Sequence, residues 1–124
     1  MPYVTITASQ GFSTEQKKQL LQKSTDAVVQ SIAAPLANVK VMLHELGDGH
    51  FVDGGNFDAT ALMFVVELIE GRTDEGKAAL VKALSVAGFE TTGVPESSIR
   101  VRVIDFPRTN MGMAGGITAQ QAGR

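Results

Sequence analysis

The chain is 124 residues long, 44% hydrophobic and 19% charged, with a formal net charge of -2 and no cysteine. That length fits one domain with a modest core; the missing thiols exclude disulfides, thiolate metal sites and cysteine nucleophiles; the acidic balance argues against nucleic acid, whose binders carry a basic surplus. No apolar run approaches the roughly 18 residues of a membrane span, and Met1-Pro2-Tyr3-Val4-Thr5 lacks the charged start and apolar centre of a signal peptide, so a cytoplasmic protein with neither nucleic acid nor membrane as a partner is expected.

From Pro2 to Ala8 the residues alternate, with Val4, Ile6 and Ala8 on one side and Tyr3, Thr5 and Thr7 on the other. This predicts a strand with one buried face. Ser13 and Gln16 have the spacing of a capping box. Leu20, Leu21, Ala27, Val28 and Ile32 then recur at helical spacing through Ala33, and Pro35 forbids continuation. Val39 to Glu45 predicts a second strand, with Val39, Val41 and Leu43 on one face. Gly47 to Gly55 holds four glycines and two aspartates, which predicts turns or a short hairpin. Leu62 to Ile69 is apolar apart from Glu67, as in a strand buried on both faces. Thr73 caps a second helix, expected to end near Gly88, with Gly76 weakening its first turn. Ile99 to Ile104 predicts a further strand, and Asn110 to Gly116 a second glycine-rich turn.

The order of elements is written twice. A shift of 60 residues superimposes Gly11 on Gly71, Glu15 and Lys17 on Glu75 and Lys77, Leu20 on Leu80, Pro35 on Pro95 and Val41 on Val101. Each half is a β-α-β unit, whose crossover makes its two strands parallel with the helix on one face. The expected fold is α+β: two tandem units, 1–58 and 59–124, in one domain, giving a four-stranded sheet with two helices on one face. The other sheet face carries apolar residues that a domain this small cannot leave in water, so oligomerisation is expected.

The first half resembles the short subunit of 4-oxalocrotonate tautomerase. The resemblance lies in Pro2-Tyr3-Val4, in Ser13-Thr14-Glu15-Gln16-Lys17, in Ala34 through Val41, and in Gly49-His50-Phe51 followed by Gly54-Gly55. The second half resembles it more loosely, through Glu70-Gly71-Arg72-Thr73-Asp74-Glu75, Pro95 to Val101 and the glycine-rich ending. The whole chain looks like a fused, tandem member of the tautomerase superfamily. The resemblance implies a tautomerase/MIF-like fold, a homotrimer in place of a hexamer, and a cofactor-independent isomerase. Its substrates would be small 2-hydroxy-unsaturated or 2-oxo acids.

It also implies roles for particular residues. Pro2, exposed by removal of Met1, would be the general base; an α-amino group titrates near ~8, and nearby cations and an apolar wall lower that value. Leu62 stands at the matching place in the second half, so one proline site per chain is expected. Arg72 would bind a substrate carboxylate beside a helix N-terminus, whereas the first half has Phe12 there. Lys40 and Arg100, matched at the start of each second strand, would polarise substrate oxygens, with Lys40 lacking the planar fork. Phe51 and Met111 take the place of the apolar wall. Arg102 and Arg108 read as solvent-facing, His44 and His50 as structural or exposed, and no metal or cofactor is implied.

Two other readings stay open. One is a hydratase, dehalogenase or decarboxylase of the same superfamily, which needs a water-activating carboxylate; Asn38 and Lys40 stand where decarboxylases place an aspartate, and Asp53 is the acidic candidate. The other is a non-catalytic trimeric binding protein.

Overall fold

A computed structural model of the chain describes residues 2–124; Met1, on whose removal the expected base depends, lies outside the described residues. The alternating segments form strands because apolar side chains at a period of two line one packed face. In chain order the elements are β1 (Tyr3–Ser9), α1 (Thr14–Ile32), β2 (Lys40–Leu46), β3 (Leu62–Ile69), α2 (Asp74–Thr92) and β4 (Arg100–Phe106). A short hairpin of β5 (Gly112–Met113) and β6 (Ile117–Thr118) follows.

The sheet order is β2-β1-β3-β4. β1 and β2 are parallel, β3 and β4 are parallel, and β1 runs antiparallel to β3. Thr5 faces Val65 across that central pair. The two are equivalent under the 60-residue shift, so the pseudo-two-fold axis passes between them. Helix and strand bounds of the halves superimpose under the same shift, save that β3 starts one residue early.

Both helices pack on the face carrying Val4, Ile6, Ala8, Leu62, Phe64, Val66 and Leu68. α1 is started by the expected capping box at Ser13, and α2 by Thr73, whose hydroxyl accepts the Gly76 N–H at 3.0 Å. Lys17 pairs with Glu45 at 2.7 Å, and the repeat preserves this tie between helix and strand as Lys77 with Asp105.

Three expectations are corrected. α2 does not end near Gly88 but runs to Thr92, where Gly93 adopts a left-handed conformation with φ 78°. Gly88 is a space-saver: a Cβ there would lie 3.0 Å from Ile99 Cδ1, 3.2 Å from Leu62 Cδ2 and 3.3 Å from Phe64 Cε1. Its counterpart in α1 is Val28, which faces a core that has Val4 where the second half has Phe64. Volume is exchanged between helix and strand, as close packing demands. β3 is buried on one face rather than two; Met63, Val65 and Ile69 on its other face are half-buried and Glu67 is exposed. β4 extends two residues past Ile104, to Phe106. The helix-free face leaves Met42 and Ile104 about 40% exposed (42% and 41%). Among the described residues no helix is long and apolar enough to cross a membrane.

Candidate active site

The strand directions decide which residues meet. β1 and β2 start, and β3 and β4 finish, at the same edge of the sheet. That edge gathers Pro2, Pro35, Asn38, Leu68, Ile69, Glu70 and Arg72, which together with Arg124 line a cavity of about 220 Å³. Pro2 is fully buried. Its carbonyl accepts the Lys40 N–H at 3.2 Å, holding the starts of β1 and β2 side by side.

Arg72 is half-buried just ahead of the Thr73 cap. Its guanidinium Nη1 donates to the carbonyl of Ile32, the last residue of α1. The final carbonyls of a helix lack partners within it and mark the negative end of its dipole, so a cation is favoured there. A guanidinium carries five N–H donors. One bond to Ile32 therefore fixes the side chain and leaves donors for an anion in the cavity.

Lys40 lies beside Tyr3 at this edge, exposed and in no ion pair among the described residues. Met111 follows β4 at the same edge, where the Phe106 carbonyl accepts the Glu70 N–H at 2.9 Å. It is 8% exposed, and its carbonyl accepts the Ala119 N–H at 2.8 Å. Arg100 starts β4 at the opposite edge, beside Met63. Its Nη1 donates to the Ser97 and Ile99 carbonyls at 2.9 and 3.0 Å. Phe51 is also at the opposite edge, lining a cavity of about 450 Å³ with Ser9, Gln10 and Asp48. Within one chain, then, Pro2 and Arg72 share a cavity, Lys40 and Met111 lie at its edge of the sheet, and Arg100 and Phe51 lie at the other.

The pseudo-two-fold axis generates a counterpart cavity of about 610 Å³, lined by Phe12, Thr92, Gly93, Val94, Pro95 and Ser98, with Asp53 at its side. Phe12 replaces Arg72, and buried Leu62 replaces Pro2. Next to it, the Glu96 carboxyl is held below the usual carboxylate range, first by the Ser85 hydroxyl at 2.8 Å and then by Lys82 at 3.2 Å. Among the described residues no cluster of three or more His, Cys, Asp or Glu could hold a metal ion.

Glu70 and Arg124 line the Pro2 cavity without having been singled out as site residues. Glu70 sits inside the resembling stretch with no distinguishing spacing of its own. Arg124 belongs to no motif; the Gly123 before it was the one local hint of a turn.

Both halves of the chain match the family model described as tautomerase enzyme, over residues 2–59 and 65–120. A 2-hydroxymuconate tautomerase of Pseudomonas putida is 39% identical over 59 residues, covering 48% of this chain and 92% of that protein. A probable tautomerase of Bacillus cereus is 42% identical over 55 residues, covering 44% of this chain and 90% of that one. Among solved structures, Pt0534 inactivated by 2-oxo-3-pentynoate superimposes with a TM-score of 0.97 at 63% identity, over 98% of this chain and 99% of that one. The Q0 fused 4-OT, described as a wild-type symmetric trimer, gives a TM-score of 0.95 at 40% identity, over 98% of this chain and 99% of that one.

Proposed function

The chain belongs to the tautomerase family and has the fold of the fused 4-OT proteins, and from that premise we propose that it is an isomerase converting small 2-hydroxy-unsaturated acids to their 2-oxo forms, with the Pro2 amine as general base. The observation that carries this reading is the cavity lined by both Pro2 and Arg72, set against a counterpart that has neither. Arg72 holds a substrate carboxylate. The Pro2 amine takes the proton from the 2-hydroxyl and returns it to carbon, so the enol oxygen becomes a carbonyl and no atom is gained or lost. Lys40 at the same edge stabilises the negative charge that develops on oxygen, the kind of interaction that strengthens in the transition state. The apolar Pro35, Leu68 and Ile69 and the cation of Arg72 around Pro2 disfavour a protonated amine and suit a base acting near neutral pH.

The assembly proposed is a homotrimer, since related fused 4-OT proteins are described as trimers and the helix-free sheet face leaves apolar side chains exposed. Arg100 and Phe51 would reach a Pro2 site only from a neighbouring protomer. Light scattering should give three times the 13.1 kDa chain mass. The function is tested with 2-hydroxymuconate and related enol acids on wild type, Pro2→Ala and Arg72→Ala, after mass spectrometry has established whether Met1 is removed. Equal turnover by wild type and Pro2→Ala sinks the reading. An electrophilic 2-oxo-alkynoate, of the kind that inactivates Pt0534, should add to wild type and not label Pro2→Ala at the N-terminus.

Glu70 supports a second reading, hydration of an unsaturated acid, because it places a carboxylate on the wall of the Pro2 cavity. Asp53, the acidic candidate from sequence, lines the counterpart cavity instead. Turnover of a 3-haloacrylate that is lost in Glu70→Gln would favour hydration.

A further inference from the structure

The C-terminal ends of the two helices are alike in sequence logic and differ in what meets them. Neither α1 nor α2 has a basic residue in its last turn. The final carbonyls of a helix lack partners within it and carry partial negative charge. At the end of α1 a cation arrives from the other half of the chain, where Arg72 donates a guanidinium N–H to the Ile32 carbonyl. At the end of α2, the Gly93 N–H returns to the Phe89 carbonyl at 2.9 Å. Among the described residues no backbone N–H donates to the carbonyls of Glu90, Thr91 or Thr92. The Thr92 hydroxyl is already engaged, donating to the Gly88 carbonyl at 2.6 Å and accepting the Val94 N–H at 3.1 Å. Phe12 holds the place of Arg72.

This helix end opens on a cavity. Thr92, Gly93, Val94 and Pro95 form one wall of the 610 Å³ space that Phe12 and Asp53 also line. Phe12 is half-buried and packs against the hydrophobic core. Asp53 is exposed and in no ion pair among the described residues. None of the described residues lining the cavity is a lysine or arginine. Glu96 and Lys82 beside it offset each other as a pair at 3.2 Å. The walls thus combine the negative end of a helix, one carboxylate and one aromatic residue, with no cation of their own.

We propose that this cavity is a site for a small organic cation of the guanidinium or alkylammonium class, which takes at the end of α2 the place that the Arg72 guanidinium takes at the end of α1. A planar guanidinium donates to carbonyls through several N–H groups at once. It stacks on aromatic faces, the chemistry Phe12 offers, and pairs with carboxylates, the chemistry Asp53 offers. An anion finds no charged partner on these walls. The Pro2 cavity, with Arg72 on its wall, takes an anion under the reading above, whereas this one selects the opposite charge through its own groups alone.

The test uses n-propylguanidinium and n-propylurea, which share size and shape and both carry N–H donors but differ in charge. Each is titrated through the millimolar range into the isotope-labelled full chain while amide resonances are followed. Propylguanidinium should give saturable shifts centred on Phe12 and on Thr92 to Ser98. Propylurea should bind about tenfold or more weakly, the order expected for loss of a charge-assisted contact. Phe12→Arg should abolish propylguanidinium binding, because the chain then supplies its own guanidinium to the helix end. Asp53→Asn, a change in an exposed turn, should weaken binding about threefold and keeps the test decisive should Phe12→Arg fail to fold. Saturable shifts confined to other residues, propylurea binding as tightly as propylguanidinium, or full affinity retained in Asp53→Asn overturns the proposal.

Discussion

The two cavities related by the pseudo-two-fold axis occupy matching places in a repeated unit and differ at the positions of Pro2, Glu70 and Arg72, which are Leu62, Gln10 and Phe12 in the other half. In one, Arg72 reaches across to the Ile32 carbonyl at the end of α1, and Pro2 sits beside it. In the other, Phe12 stands where the guanidinium would be, and the matching helix end, Thr92, has no arginine to receive. The helix ends differ in step. α1 finishes on Ala33 at φ 53°, a left-handed alanine, whereas α2 finishes on Gly93 at φ 78°. A left-handed residue with a Cβ costs roughly 1 kcal/mol, and the cation on the neighbouring carbonyl helps offset it. The pair of cavities shows that the two halves keep the sheet and helices duplicated while the residues lining the cavities differ.

The largest effect expected is at Pro2. Pro2→Ala should lower turnover of an enol acid by about 10²-fold or more, the contribution of a positioned general base, while circular dichroism and the thermal midpoint stay close to wild type. Leu62→Ala, at the matching place, should cost stability by about 2–4 kcal/mol because Leu62 is fully buried, and unfolding, not kinetics, should report it.

Next comes Arg72. Arg72→Ala should lower kcat/KM by about tenfold or more through the lost carboxylate contact, and it should also destabilise α1 by about 1 kcal/mol because the Ile32 carbonyl loses its donor. Phe12→Ala should leave kcat/KM unchanged. A variant pair with equal kinetic losses would show that the two cavities are not as different as their residues make them.

Smaller effects probe the scaffold. Gly88→Ala should destabilise by about 1 kcal/mol, since overpacking against Ile99, Leu62 and Phe64 outweighs the better helix propensity of alanine; adding Phe64→Val should relieve the crowding. Ala33→Gly should instead stabilise by a few tenths to about 1 kcal/mol, because glycine accepts the left-handed cap; chemical denaturation resolves both.

The smallest effect is a pH dependence. The folded-state pKa of Glu96 is depressed below 4.5 by Ser85 and Lys82. Its contribution to stability is therefore present above its unfolded value and fades as pH falls through the folded one. Glu96→Gln should flatten stability slightly below about pH 4.5 and leave the neutral range untouched. At the matching place the first half has the exposed Leu36, which titrates nothing.

Local pattern alone was enough for the fold. Alternation in Pro2 to Ala8, the cap at Ser13, the stop at Pro35 and the 60-residue recurrence set the element order, and the β-α-β crossover then dictated parallel pairs. All but the recurrence are short-range signals, legible because each residue acts on its own turn or strand. The misplaced end of α2 arose because a glycine reads locally as a stop, while Gly88 is required by Phe64, which is distant in sequence. The site was legible only by residue type. Pro2 and Arg72 were picked out by resemblance, but their sharing of one cavity, the departure of Arg100 and Phe51 to the opposite edge, and the arrival of Glu70 and Arg124 follow from the antiparallel pairing of β1 with β3. That pairing joins residues some sixty positions apart; the 60-residue recurrence aligns the two halves but does not say which strands pair between them, and so tertiary structure alone decided what surrounds the proline.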